Sequence, residues 1–349
     1  MNNIIHIIPT LQNGGAETVL ARIVEEFSKN NVEQIVFTLT GSTSDFHYDS
    51  IKKHCGVLDW KRNSTSIDAL VLEHPNSTIL AWMYPSIYFA HKLNIRLRTK
   101  HPIIWNIRHS SFGPSQWYQK TMLLLFGFAS KILKNKIIYC SHKSKEVHER
   151  AFFKKTGSTV IVNRLAKKPL EVDLNKSIKN EKPFFLFVGR FNPQKGTENL
   201  KFISEKIIQN NPKIEVWIAG TGWDINYFPV KIQSNIRLLG VRKDVYSLYS
   251  KAIGYLFTST FGEGYPNVLA EASASGLPIV AFDAGDSKKI LEAYEHGFIV
   301  NNNKEFVEKS LWLLQNPIPK EVRLKNAQKQ LKLLDFSLTV KEYREFIAL

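Results

Sequence analysis

Phe261-Gly262-Glu263-Gly264-Tyr265-Pro266-Asn267-Val268-Leu269-Ala270-Glu271-Ala272-Ser273-Ala274-Ser275-Gly276 decides how the rest of the chain is read. The apolar run 252–257 precedes it and has the make-up of a buried parallel strand. Pro266 suits the first turn of a helix, where its missing N–H is no loss. Val268, Leu269 and Ala272 then face a core, and Gly276 with Pro278 stops the helix. Residues 262–265 are therefore a loop that ends on a helix N-terminus. Free N–H groups and the helix dipole there attract an anion, typically a phosphate. Glu263 in the loop and Glu271 inside the helix frame that position. A phosphate would repel both, whereas hydroxyls beside the phosphate would donate to them. Ribose hydroxyls, two phosphates and sugar hydroxyls have that layout. The plain alternative is a pair of solvated glutamates, the usual state of this residue.

The Glu, seven residues, Glu pattern, with Gly264 and Pro266 beside it, resembles the retaining glycosyltransferases of family 4, which have the GT-B fold. The resemblance covers most of the C-terminal half and, more weakly, the N-terminal half. It implies that Glu263 contacts the sugar of a nucleotide-sugar donor and Glu271 its ribose. Tyr265 and Asn267, in the same run, belong to the implied substrate-binding loop.

Working outward, 184–188 reads as a strand opening a second domain. Gly189-Arg190-Phe191-Asn192-Pro193-Gln194-Lys195-Gly196 follows it, then a helix from about Thr197. The loop brings Arg190 and Lys195 to one place, a donor fork and a point charge suited to a diphosphate. A basic surface loop is the plain alternative. The Gly-Arg…Lys-Gly run is similar to the family's phosphate-binding motif, which assigns Gly189, Arg190 and Lys195 to the donor phosphates. Residues 236–239 form a strand whose following loop, Gly240-Val241-Arg242, is implied to meet the nucleobase through backbone, at Val241.

In the first half, 4–8 is a strand and 16–27 has helical spacing, so Gly14-Gly15-Ala16-Glu17 lies where a strand hands over to a helix. Paired glycines allow close backbone approach to a phosphate or sugar. A plain tight turn is the alternative. The run resembles the family's first loop, beside the donor phosphates and the acceptor, which makes Gly14 and Gly15 candidates. Strands are expected at 34–39, 77–82, 103–107, 137–140 and 160–163. The 103–107 strand ends in Arg108-His109. A lone His is most often structural or merely exposed, but relatives carry a His in such a position near the donor sugar, which implies His109 as catalytic; Arg108 beside it is a candidate for substrate binding. Ser141 caps the next helix. Two departures stand out. Asn163-Arg164-Leu165-Ala166 replaces the family's frequent Asn-Gly-Ile-Asp, and Lys289 stands where relatives often carry Glu.

Alternating strand and helix patterns argue an α/β protein of two doubly wound Rossmann-like domains. The resemblance implies that they face a central cleft, as in GT-B. The expected domains are 1–166 and 183–336, with a polar linker at 167–182 and a C-terminal helix, about 337–349, packing back on the first domain. The 349 residues suffice for both, and 44% hydrophobic content fills two cores. Cys55 and Cys140 have no metal-ligand spacing and imply no disulfide framework, which suits a reducing cytoplasm. No apolar run approaches the ~20 residues of a membrane span.

Lys and Arg number 47 against 31 Asp and Glu, a formal +16. A nucleic-acid motif is missing, so no nucleic-acid partner is expected. An anionic membrane surface is a possible partner. The segment 91–101 interleaves Lys92, Arg96, Arg98 and Lys100 with Leu93, Ile95 and Leu97. The segment 117–138 carries Trp117, Tyr118, Met122, Leu123, Leu124, Leu125, Phe126 and Phe128, bordered by Lys120, Lys131, Lys134 and Lys136. Basic residues flanking an apolar helix make an interfacial helix, and a buried core helix shows the same apolar run.

The implied reaction is transfer of a hexose or N-acetylhexosamine from a nucleoside-diphosphate sugar to a hydroxyl of a glycan or polyprenyl-linked acceptor. UDP and retention of configuration follow from the family's habits. No Asp-X-Asp pair is present to hold a bridging metal, so no metal or cofactor is expected. Arg190, Lys195 and the helix at Pro266 would neutralise the leaving diphosphate. A sugar phosphorylase, an inverting transferase and a non-catalytic binding module are the rival readings.

Overall fold

The computed structural model describes residues 3–12, 14–110, 117–165, 182–292 and 294–348. The chain divides into two compact units. One holds residues 3–110, 117–163 and 336–348, and the other the residues between 164 and 335.

In the first unit β1 (Ile4–Ile8), β2 (Gln34–Thr38), β3 (Gly56–Asp59), β4 (Thr78–Trp82), β5 (Ile103–Ile107), β6 (Asn135–Tyr139) and β7 (Ser158–Val160) form a parallel sheet of order β3-β2-β1-β4-β5-β6-β7. β1, β4 and β5 are buried along their whole length. Helices cover both faces of such a sheet, so its strands read as continuous apolar runs rather than alternating ones. The helix Gly15–Lys29 buries Val19, Leu20, Ile23, Val24 and Phe27 against β1 and β2. The C-terminal helix Phe336–Ile347 belongs to this unit and packs Val340, Tyr343 and Ile347 into the same core.

In the second unit β8 (Phe184–Val188), β9 (Glu215–Ala219), β10 (Ile236–Gly240), β11 (Gly254–Phe257), β12 (Ile279–Phe282) and β13 (Gly297–Val300) form a parallel sheet of order β10-β9-β8-β11-β12-β13. Its two faces carry separate cores, one around Tyr249, Tyr255 and Leu269, the other around Phe185, Ile203 and Phe306.

Both sheets reverse direction once, between β1 and β4 and between β8 and β11. Ligands of open α/β sheets bind outside the C-terminal strand ends at such a switch point. The second unit's switch point is flanked by the loops 189–196 and 258–266.

Several boundaries differ from the expected ones. The strand expected at 160–163 is Ser158–Val160. Pro266 stands at the cap position before the helix Asn267–Ala274 rather than in its first turn. Strands β3 and β13 have no counterpart in the sequence reading, because four-residue half-buried strands leave little periodic signal. The expected linker 167–182 lies outside the described residues except at Lys182.

Candidate active site

The second unit assembles its candidate residues at the β8/β11 switch point. The loop after β8 makes a short 3-10 turn, Pro193–Lys195, capped by Asn192, whose Oδ1 accepts from the Gln194 N–H at 2.9 Å. Gly196 ends that turn at φ +66° and starts the helix Thr197–Asn210. A Cβ there would meet the Thr258 carbonyl oxygen at 1.8 Å, so only glycine allows the loop to lie against the end of β11. The Thr258 hydroxyl donates to the Lys195 carbonyl at 2.8 Å and locks the contact. Gly262, at φ +76°, lets the second loop pack on the Gln194 side chain.

This packing brings the Lys195 ammonium to 2.7 Å from Glu263 Oε1. Ser259 Oγ donates to the same oxygen at 2.9 Å. Glu263 is 7% exposed, so its carboxylate is a buried charge held by a cation and a hydroxyl. Arg190, five positions before Lys195, is exposed and makes no ion pair among the described residues. An anion entering here would meet Arg190 and share Lys195 with Glu263.

The helix Asn267–Ala274 begins beside this pair. Pro266 supplies no side-chain cap, so the first-turn amides have no side-chain partner at the N-terminus. Gly264 is buried, and its carbonyl accepts from the Asp286 N–H at 3.0 Å, which fixes the loop. Tyr265 is largely buried, and burial pushes its hydroxyl above the ordinary range. Glu271 is half-buried one and a half turns on and accepts from the Tyr249 hydroxyl at 3.4 Å. Burial, with Glu271 close by, raises Tyr249 well above its usual range and keeps it a donor. Val241 sits after β10 with its side chain two-thirds exposed, next to the Arg242–Asp244 ion pair of 2.7 Å.

In the first unit, Gly14 caps the helix that starts at Gly15. The Gly14 carbonyl accepts from Thr18 Oγ1 at 2.8 Å, and Thr18 also meets His47 Nε2 at 3.2 Å. The Gly14–Gly15 backbone is thus braced at the C-terminal end of β1.

Arg108 and His109 follow β5. Arg108 is held by several side chains of the first unit. Its guanidinium donates to Asn163 Oδ1, to Tyr343 Oη at 3.3 Å and to Asn106 Oδ1 at 3.4 Å, and lies 5.4 Å over the Trp82 ring. It ties the C-terminal helix to the sheet, at the position where the sequence placed a substrate-binding candidate.

His109 packs edge-on to Tyr84 at 5.1 Å and against His148 at 5.4 Å. Burial lowers its pKa to about 4, so the ring is neutral near pH 7. His148, buried in the same aromatic cluster, falls to about 3, first by burial and then by the His109 charge.

Residues that the sequence reading passed over complete both groups. Ser259 and Thr258 bind Glu263 and Lys195, and their position just after a strand was the available signal. Tyr249, Tyr84 and His148 reach their partners from distant segments, and no local pattern marks them. Met83 opens the helix Met83–Leu97 at φ +66°, an uncommon backbone for a non-glycine residue, directly after β4 at the first unit's switch point.

Comparison with known proteins bears on this geometry. Residues 182–316 match the family described as "Glycosyl transferases group 1". The chain is 25% identical over 328 residues to an uncharacterized glycosyltransferase of Haemophilus influenzae, covering 87% of this chain and 88% of that protein. A phosphatidyl-myo-inositol mannosyltransferase of Mycobacterium tuberculosis is 31% identical over 121 residues, about a third of each chain. Among solved structures, Anabaena Alr3699/HepE in complex with UDP superposes with a TM-score of 0.79 at 16% identity, over 99% of both chains. The two parallel-sheet Rossmann-like units are those of the GT-B architecture, and the family match and the relatives together support a glycosyltransferase.

Proposed function

We propose that this protein is a retaining, metal-independent hexosyltransferase of family 4. It moves a hexose or N-acetylhexosamine from a UDP-sugar to a hydroxyl of a glycan or lipid-linked acceptor. The observation that carries the reading is the Lys195–Glu263 pair beside an uncapped helix N-terminus, with Arg190 free to take an anion. A donor diphosphate would take Arg190, Lys195 and the first-turn amides, while Glu263 and Glu271 accept hydroxyls on its two sides. The solved neighbour carried UDP, which supports that nucleotide.

In the transfer the bond from the anomeric carbon to the diphosphate oxygen breaks. The acceptor oxygen bonds to that carbon on the same face, and its proton passes to a donor phosphate oxygen. Charge grows on the leaving diphosphate, so fixed cations and amides stabilise the transition state more than the ground state. Turnover of UDP-sugars in the presence of a chelator, lost in Arg190→Ala and Lys195→Ala proteins, is the test. Restoration by magnesium or manganese after chelation would refute the metal-free part.

The acceptor side is proposed to work at an anionic membrane surface. The helix Trp117–Ile132 presents Met122, Leu124, Leu125, Phe128 and Ile132 to solvent, with Phe128 and Ile132 54% and 83% exposed. Lys120, Lys131 and Lys134 border this face, and all three are exposed. Phe128 stacks on the exposed Phe152, with the Lys131 ammonium over the Phe152 ring. An apolar face rimmed with cations complements an anionic bilayer, where each Lys contributes roughly 1 kcal/mol. Among the described residues no helix is long and apolar enough to cross a membrane. Flotation with phosphatidylglycerol vesicles, abolished by Leu125→Ser/Phe128→Ser, supports this placement. Absence of flotation at low salt would leave a soluble acceptor.

A further inference from the structure

The first unit carries a second feature, at the opposite edge of its sheet from Gly14, Arg108 and His109. A groove of about 910 Å³ opens at the N-terminal ends of β4, β5 and β6, where Thr78, Ile103 and Asn135 begin their strands. Five-residue strands put roughly 16 Å between the two edges, so the groove is distinct from the loops described above.

Lys100, Lys134, Lys136 and Lys154 line it, and no carboxylate does among the described residues. None of the four makes an ion pair among the described residues. Lys136 donates to the Phe346 carbonyl at 2.9 Å, and Lys154 donates to the Asn135 carbonyl. Burial lowers the Lys154 pKa, a sign of ammonium that loses hydration without gaining a counter-charge.

Asn135 supplies an independent observation. It is 8% exposed, and neither atom of its side-chain amide has a hydrogen-bond partner among the described residues. Most buried polar groups find partners, and one that does not needs an explanation, a bound polar group or ion being one. Four lysines lining one groove with an unpartnered amide, and no acid among the described lining residues, suit a compact, multiply charged anion.

We propose that this groove binds a phosphate-bearing ligand at a site separate from the transfer chemistry. A phospholipid headgroup and a soluble phosphate share that chemistry. Lys134 borders the apolar helix face as well as the groove, whereas Lys100 belongs to the groove alone, and this difference separates the present proposal from membrane docking by the helix.

The test uses Arg190→Ala/Lys195→Ala protein, whose other diphosphate-binding loop is disabled, titrated with inorganic pyrophosphate in a calorimeter. The expected result is saturable one-to-one binding, weakened at least tenfold by Lys100→Glu and abolished by Lys100→Glu/Lys134→Glu. Both positions are exposed, and circular dichroism checks that the variants fold. Sedimentation with phosphatidic acid vesicles then identifies the source. Loss of sedimentation in Lys100→Glu assigns a lipid headgroup, and pyrophosphate binding with vesicle sedimentation unchanged in Lys100→Glu assigns a soluble phosphate. No pyrophosphate binding at millimolar concentration, or binding indifferent to Lys100→Glu, overturns the proposal.

Discussion

Replacing Glu263 by Gln isolates the charge at the centre of the site. Gln keeps the shape and an acceptor for Ser259 but removes the counter-charge of Lys195. In the protein without donor, the Lys195 ammonium, whose side chain is 20% exposed, then faces a neutral amide. A hydrogen bond to a charged group is worth about 1.5–3 kcal/mol, and half-retained contacts reduce the expected loss to roughly 1–2 kcal/mol. The second unit spans about 170 residues (164 to 335), for which that loss lowers Tm by roughly 3–6 °C.

A diphosphate supplies the missing negative charge. Pyrophosphate or a nucleoside diphosphate should therefore raise the Tm of Glu263→Gln more than that of the parent protein, and bind at least as tightly. Turnover of the nucleotide sugar should fall, because Gln no longer offers a carboxylate to the sugar hydroxyls. Differential scanning fluorimetry, with and without the diphosphate, reads the first two effects, and nucleotide release reads the third. Equal Tm values, together with a ligand shift no larger than in the parent, would refute the reasoning.

Gly196→Ala should be among the most damaging single changes in the second unit, since the new Cβ meets the Thr258 carbonyl and the backbone sits at φ +66°. A loss of more than about 2 kcal/mol is expected in urea unfolding, with diphosphate affinity lost alongside. Arg108→Met should destabilise the first unit by roughly 1.5–3 kcal/mol and speed hydrogen exchange in the helix Phe336–Ile347. Diphosphate binding should be unchanged, and the reverse pattern would return Arg108 to a ligand-binding role.

The buried imidazoles of the first unit should make it acid-sensitive. His6 and His109 are held near pKa 4 and His148 near 3, each chiefly by burial. The unfolded chain, at about 6.5, binds protons that the folded unit refuses, so stability falls as pH drops from about 6.5 towards 4. Each His adds a slope of about 1.4 kcal/mol per pH unit in that window. His148→Gln should flatten the urea-midpoint profile between pH 6.5 and 5, and an unchanged slope would remove His148 from this account.

What the sequence made legible follows from periodicity and chain continuity. Ile4–Ile8, Ile103–Ile107 and Phe184–Val188 read as strands because parallel strands are unbroken apolar runs. Gly189–Gly196 and Phe261–Gly276 read as ligand loops because Gly, Pro and charged residues cluster where a strand gives way to a helix. Ser141, expected to cap a helix, accepts from the Ser144 N–H at 2.9 Å. The Lys195–Glu263 pair was not legible, since the two residues come from loops 68 positions apart and nothing local says that they meet. The bracing of Arg108 was not legible for a related reason. Beside a strand end an Arg looks available to ligand, and only the arrival of Tyr343 from the far end of the chain shows its guanidinium engaged. The apolar run 121–129 allowed a core or an interfacial helix, and the structure leaves Leu124, Leu125 and Phe128 exposed rather than packed in the core.

The central claim is that the β8/β11 loops bind a nucleotide sugar and cleave its anomeric bond. The most direct measurement follows nucleoside diphosphate release from a panel of UDP-, GDP- and ADP-sugars, with glycan and lipid-linked acceptors present. The account expects release from at least one UDP-sugar, with a retained anomeric configuration in the product. It also expects a fall of at least about a hundredfold, some 2.7 kcal/mol, in the Arg190→Ala/Lys195→Ala protein. Release that survives that double change, or failure of the folded protein to bind or turn over any nucleotide sugar in the panel, would contradict it.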